Sequence, residues 1–217
     1  MLFRKKDEGA WQSISDLMTG LMVVFLFISL GLICDVQNTR SEYVQTKQKI
    51  YNSLNEEFKP EELAKWGTHI NPDTLTVSFS EPSVYFGENS SDVNDHFKTV
   101  LNDFFPRYVR VLQQYSDEIV EVRIEGNASK DFMGDPNSPS AYFYNMNLSQ
   151  QRAFNVLTYV YSIPSSENFR PWLRDKLRAN GASYSNAVSD ASASRCVTIS
   201  IHRNAESVLE SLNEGKS

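Results

Sequence analysis

The chain has 217 residues, 21 Lys+Arg against 27 Asp+Glu for a formal net charge of -6, and 41% hydrophobic residues. The acidic balance excludes the basic footprint of sequence-independent nucleic-acid binding, so no nucleic-acid partner is expected, and the apolar content excludes a wholly disordered chain. Two cysteines, Cys34 and Cys196, make no disulfide framework, and His69, His96 and His202 lie too far apart for ligand spacing, so neither a metal nor an organic cofactor is expected.

Taken in chain order, residues 9–34 hold a single charge, Asp16, and residues 17–34 hold none. As a helix those 26 positions reach about 39 Å, enough to cross a hydrocarbon core of about 30 Å. A transmembrane helix is predicted over 11–35, after an N-terminal segment, 1–10, whose Arg4, Lys5 and Lys6 place it in the cytoplasm by the positive-inside rule. A cleaved signal peptide lacks its small-x-small site. A lipoprotein signal ending at Cys34 would place bulky Ile33 where a small residue is needed, so an uncleaved anchor is expected. A carboxylate at mid-helix costs about 2.5–3.5 kcal/mol to insert and usually marks an ion path. Position alone leaves two readings of Asp16 open, an ion carrier or a cap for a helix beginning at Leu17.

Residues 36–73 read as a helical linker. Tyr43, Lys47, Ile50, Leu54 and Phe58 recur at spacings of three and four, a stripe that suits either a second copy of the chain or the domain that follows. Lys59-Pro60 ends it, and Asn71-Pro72-Asp73 is a turn.

From 74 to 203 the pattern alternates. Leu75, Val77 and Phe79 mark a strand. A helix follows from Asn89-Ser90-Ser91-Asp92, with Val93, Phe97, Val100, Leu101, Phe104, Val111 and Leu112 at helical spacing and a break at Pro106. Residues 119–126 form a strand with Val120, Val122 and Ile124 on one face. Residues 148–161 form a helix with Ala153, Val156, Leu157 and Val160 inward, and 169–179 form another, closed by Asn180-Gly181. Residues 196–202 are a last strand, and 204–217 a tail. The predicted class is one N-terminal transmembrane α-helix followed by an α/β sandwich with helices on one sheet face.

Two strings carry family resemblances. WQSISDLMTGLMVVFLFISL, residues 11–30, resembles the membrane segment of MotB-type stator subunits, with the Asp16-Leu17-Met18-Thr19 core. That resemblance implies that Asp16, with Thr19 beside it, carries the proton or sodium ion that drives a rotary motor. IEGNAS, then YNMNLSQQRAFNVLTYV and SRCVTISI, look like an OmpA-like peptidoglycan-binding domain over about 125 residues. The resemblance implies an OmpA-like fold for the periplasmic α/β domain and a wall-binding set of Tyr144, Asn145, Leu148 and Arg152. Asn145 preceding a helix leaves free N–H groups for a carboxylate, with Ser149 in the first turn, and the Arg152 fork suits bidentate contact.

The match departs at Gly126-Asn127-Ala128-Ser129, where the family has Gly-His-Thr-Asp; the acid that meets the diaminopimelate amine is missing, and Asp131 is the nearest substitute in sequence. The short N-terminus, the YNxxLxxxR cluster and the 130–144 insertion are more similar to the ZorB subunits of Zorya anti-phage systems than to flagellar stators. A flagellar or orphan stator, and a passive wall tether, are the alternatives. The resemblance implies an inner-membrane, single-pass protein with a MotA-like (ZorA-type) pentamer as partner, two copies of this chain in a 5:2 complex, and peptidoglycan at the far end. No enzyme is expected, for no nucleophile–His–acid grouping or phosphate loop is present.

Overall fold

The computed structural model describes residues 4–79, 85–86, 90–128, 135, 138–184 and 196–203, with only the backbone for 4–10. The chain divides into two units, Met1–Gln45 and Thr46–Ser217.

Helix α1, Arg4–Glu57, has no proline to break it. In the first unit it is a bare helix whose large apolar side chains, from Trp11 to Val36, are all substantially exposed. Over Trp11–Glu57 it is long and apolar enough to cross a membrane. The helix runs unbroken through Leu17, so Asp16 does not cap a helix start: the N–H groups after it are already paired inside the helix.

The second unit begins with the last turns of α1. Ile50, Leu54 and Phe58 are fully buried, so this stripe lies on the domain itself. Lys59 is extended, as a residue before proline should be, and Pro60 opens the short helix α2, Pro60–Lys65. A five-stranded sheet follows, ordered β1-β2-β5-β3-β4. Its strands are β1 (Thr68–Ile70), β2 (Val77–Phe79), β3 (Ile119–Gly126), β4 (Leu177–Gly181) and β5 (Val197–Arg203). All neighbours pair antiparallel except β3 and β4. That parallel pair needs a crossover, supplied by helix α4 (Pro139–Ser162), a 3₁₀ turn (Pro164–Phe169) and α5 (Arg170–Lys176). Helix α3, Asp95–Gln113, precedes β3.

Five local expectations are corrected. Helix α3 is capped by Asn94, whose side chain accepts the Phe97 N–H at 2.9 Å, and it runs straight through Pro106. A mid-helix proline costs about 3 kcal/mol. The burial of Phe104, Phe105, Tyr108, Val109 and Leu112 around it outweighs that cost. In β3 a bulge between Ile119 and Glu121 turns Val120 outward, 48% exposed, while Ile119, Val122 and Ile124 face the core. Helix α4 starts nine residues earlier than expected, because Ser138 caps it and Pro139 takes the first turn. The helix expected over 169–179 stops at Lys176, where the chain becomes β4. There Leu177 pairs with Val122 and Gly181 with Gly126, so Asn180-Gly181 ends a strand and caps no helix.

An aromatic cluster ties α1, α2 and α3 to the sheet. Phe104 lies 4.8 Å from Phe58, 5.4 Å from Phe79 and 5.1 Å from Tyr108, and the Tyr85 hydroxyl donates to the Trp66 carbonyl. Arg107 locks the junction. Its Nε donates to Glu57 Oε1 at 2.6 Å and its Nη2 to the Glu57 carbonyl at 2.7 Å, while Nη1 reaches Glu62 at 2.7 Å and the guanidinium lies 4.7 Å from the Phe58 ring centre. The Arg107 bond holds the Glu62 carboxyl below the usual glutamate range. A carboxyl depressed in the fold contributes stability at neutral pH that is lost as pH falls through the ordinary glutamate pKa of about 4.3 toward the lower folded value. Arg107→Ala should destabilise this unit by about 2 kcal/mol. Glu62→Gln should flatten the acid limb of its urea-unfolding profile, measured on the full chain in detergent.

Candidate functional site

The motif residues gather where α4 crosses the carboxyl ends of β3 and β4. The approach is possible because both strand ends are glycine. A Cβ on Gly126 would collide with the Ser149 carbonyl, and one on Gly181 would lie 2.6 Å from the Gln150 nitrogen and 2.8 Å from Ser149 Oγ. Side chains of α4 then complete the hydrogen bonding of the strand ends. Gln150 Oε1 accepts the Gly181 N–H at 2.7 Å and Ser149 Oγ accepts the Ser183 N–H at 3.0 Å. Beyond the ladder, Ala128 N–H donates to the Ser183 carbonyl at 2.7 Å, and Asn127 N–H to the Cys196 carbonyl at 2.9 Å. Burial, with the charge of Glu125 second, pushes the Cys196 thiol up.

The early start of α4 changes what Asn145 can do. It lies in the second turn of a formed helix and so has no free N–H groups beside it, and the anion cradle expected there is absent. The side chain is 2% exposed, and its Nδ2 has no hydrogen-bond partner. Arg152 is 5% exposed. Its Nε donates to the Ser90 carbonyl, 62 residues upstream, at 3.0 Å and its guanidinium lies 5.2 Å from the Phe86 ring centre, so that upstream segment covers it. Asn155, one turn on, fastens the same segment through the Ser91 carbonyl at 2.9 Å. Tyr144 is 45% exposed beside Tyr142 and Phe143, and Leu148 is half-buried. Asn145 and Arg152 thus lie on the buried face of α4, with Leu148 half-buried and Tyr144 exposed. Ser129 and Asp131 lie outside the described residues.

Sequence reading missed Ser183, Gln150 and the Ser90–Ser91 cover. Gln150 lies inside the recognised helix string but matches no family position. Ser183 has no local signal and Ser90 reads only as part of a helix start, because their roles exist only where separate segments meet.

In the first unit, Asp16 and Thr19 lie three residues apart and so share a helix face. The Thr19 hydroxyl donates to the Ser15 carbonyl at 2.8 Å.

No family model matches the chain. The Zorya protein ZorB of the Escherichia coli Crooks strain is 40% identical over 216 residues, 94% of this chain and 92% of that protein. The Zorya protein ZorB of Escherichia coli O139:H28 is 24% identical over 215 residues, 90% of this chain and 82% of that one. Among solved structures, a MotB-like protein from Desulfovibrio vulgaris superposes with a TM-score of 0.52 at 17% identity, over 76% of this chain and 95% of that one. At that identity the likeness shows the fold, a mixed sheet with helices of the MotB type.

The close approach of α4 makes a direct prediction. Gly126→Ala and Gly181→Ala should each destabilise the second unit by about 1–3 kcal/mol, because backbone and not a flexible side chain must give way. Thermal unfolding followed by circular dichroism measures the loss.

Proposed function

The chain belongs to the ZorB family, and on that premise we propose that it is the wall-anchored subunit of an ion-driven motor in the bacterial inner membrane, serving anti-phage defence. The observation that carries this reading is one acid, Asp16, inside an unbroken apolar helix. A charge in that setting is expensive, and no basic residue between 9 and 34 offsets it. The ion path must therefore be completed by another protein, which the family resemblance supplies as a MotA-like pentamer around two copies of this chain. Asp16 takes up and releases the ion, H⁺ or Na⁺, and Thr19, on the same face, offers it a hydroxyl oxygen. Arg4, Lys5 and Lys6 keep the N-terminus cytoplasmic, which places the C-terminal domain in the periplasm.

There the domain holds peptidoglycan through the α4 junction. Tyr144 supplies an exposed aromatic rim and Asn145 an unpaired donor. Arg152 presents a planar guanidinium of the kind that grips a carboxylate bidentately, and it takes a stem-peptide carboxylate. A proton descending 100 mV yields about 2.3 kcal/mol, which produces motion of the partner only if this chain is held still.

Asp16→Asn should abolish protection of cells against phage while the protein still inserts in the membrane at normal abundance. Retained protection would remove the motor and leave a passive tether. The combined Tyr144→Ala, Asn145→Ala, Arg152→Ala variant should sediment less with purified sacculi, and undiminished sedimentation would count against the α4 junction as the wall site.

A further inference from the structure

The guanidinium that wall binding calls for is not at the surface. Arg152 is 5% exposed, and the chain before α3 lies over it. The Ser90 carbonyl accepts its Nε–H at 3.0 Å, and the Phe86 ring centre lies 5.2 Å from the guanidinium. One turn along α4, Asn155 Nδ2 donates to the Ser91 carbonyl at 2.9 Å and to Ser91 Oγ at 3.3 Å. The covering chain is also tied to itself. The Asn94 N–H donates to the Tyr85 carbonyl at 3.1 Å, Phe86 bridges Val93, and the Asp92 N–H donates to Ser90 Oγ at 3.0 Å. Its hold on α4 runs through the side chains of Arg152 and Asn155. Ser90 and Ser91 are themselves half-buried, so solvent reaches the outer side of the cover.

We propose that residues 85–86 and 90–91 are a closed cover over the wall site, which a stem-peptide carboxylate must displace from Arg152 before the chain can grip peptidoglycan. The inference rests on the wall-binding reading of Arg152. A guanidinium buried to this degree offers a carboxylate no bidentate approach while Ser90 and Phe86 stay in place. The exchange is favourable once begun, because a hydrogen bond between two charged groups is roughly twice as strong as one between neutral groups, and the carboxylate brings the charge that the Ser90 carbonyl lacks. A ligand that binds only the open form draws the equilibrium toward it, and its apparent affinity is reduced by the fraction of chains that are open. A contact that holds the cover shut without touching the ligand therefore weakens wall binding, and Asn155 makes such a contact.

The test is sedimentation of the full chain, in detergent, with purified sacculi. Asn155→Ala should bind about threefold to tenfold more tightly than wild type, the effect of removing a neutral hydrogen bond from the closed form alone. Asn155 is half-buried within a helix, where alanine suits the backbone, and circular dichroism checks the fold. Asn155→Leu, which keeps the volume and loses the donor, is the second variant and should show the same gain. In an Arg152→Ala chain Asn155→Ala should give no gain, since no guanidinium is then uncovered. A gain in that background comes from a loosened surface and overturns the cover. Folded Asn155 variants that bind like wild type, or more weakly, also overturn it, and a loss of binding in Arg152→Ala then leaves the wall site standing. If the wild-type chain is not retained by sacculi at all, the wall-binding reading fails and this inference with it.

Discussion

Helix α4 lies in backbone contact with the ends of two parallel strands, and much of the C-terminal domain follows from that. The contact exists because positions 126 and 181 have no side chain. At that distance Ser149 and Gln150 reach the strand ends and pair with the N–H groups of Ser183 and Gly181, which would otherwise be stranded beyond the ladder. The register of β3 with β4, the fold-back of 182–183 and the burial of Asn145 all depend on this approach. Asn145 Nδ2 and the Ser183 hydroxyl are left inside with nothing to bond.

A second junction holds the end of α1. Residues 46–57 pack on the domain through Ile50 and Leu54, and Arg107 binds both the Glu57 carboxylate and its carbonyl, while Glu62 lies on its other side. The magnitudes bear on the proposed role. An elementary charge crossing 100 mV carries about 2.3 kcal/mol. A single hydrogen bond to a charged group contributes about 1.5–3 kcal/mol. A join made of one such bond would yield under the energy of a single ion, whereas here several bonds act together above three fully buried apolar side chains. A chain that resists a motor needs its helix end fixed in this way.

Much of the fold was legible because it is written in short periods. The stripe through Ile50, Leu54 and Phe58, the alternation of Val77 with Phe79, and that of Val197, Ile199 and Ile201 all appear as the structure has them. Where reading failed, a distant partner overruled a local signal. Leu177 and Ala179 continue a helical spacing from Trp172 and Leu173, yet the open edge of β3 draws them into a strand. Pro106 is a helix breaker by itself, and packing on both sides carries the helix through it. Val120 alternates correctly with Val122 until a bulge, which no composition marks, turns it out. The Ser138-Pro139 cap lies within a stretch rich in Pro, Ser and Asn that reads as loop.

By itself the amino-acid sequence determined the long apolar helix, the isolation of Asp16 within it and the helical string from Tyr144 to Val160. Each of these is a property of neighbouring residues, and hydropathy and spacing act along one dimension. Only the tertiary structure decided that Asn145 Nδ2 is buried without a partner, that Arg152 lies under Ser90, and that Ser183 is held by Ser149. Ser90, Asn145 and Ser183 are tens of residues apart, and desolvation and hydrogen bonding depend on which surfaces meet in space, a quantity no window of sequence contains.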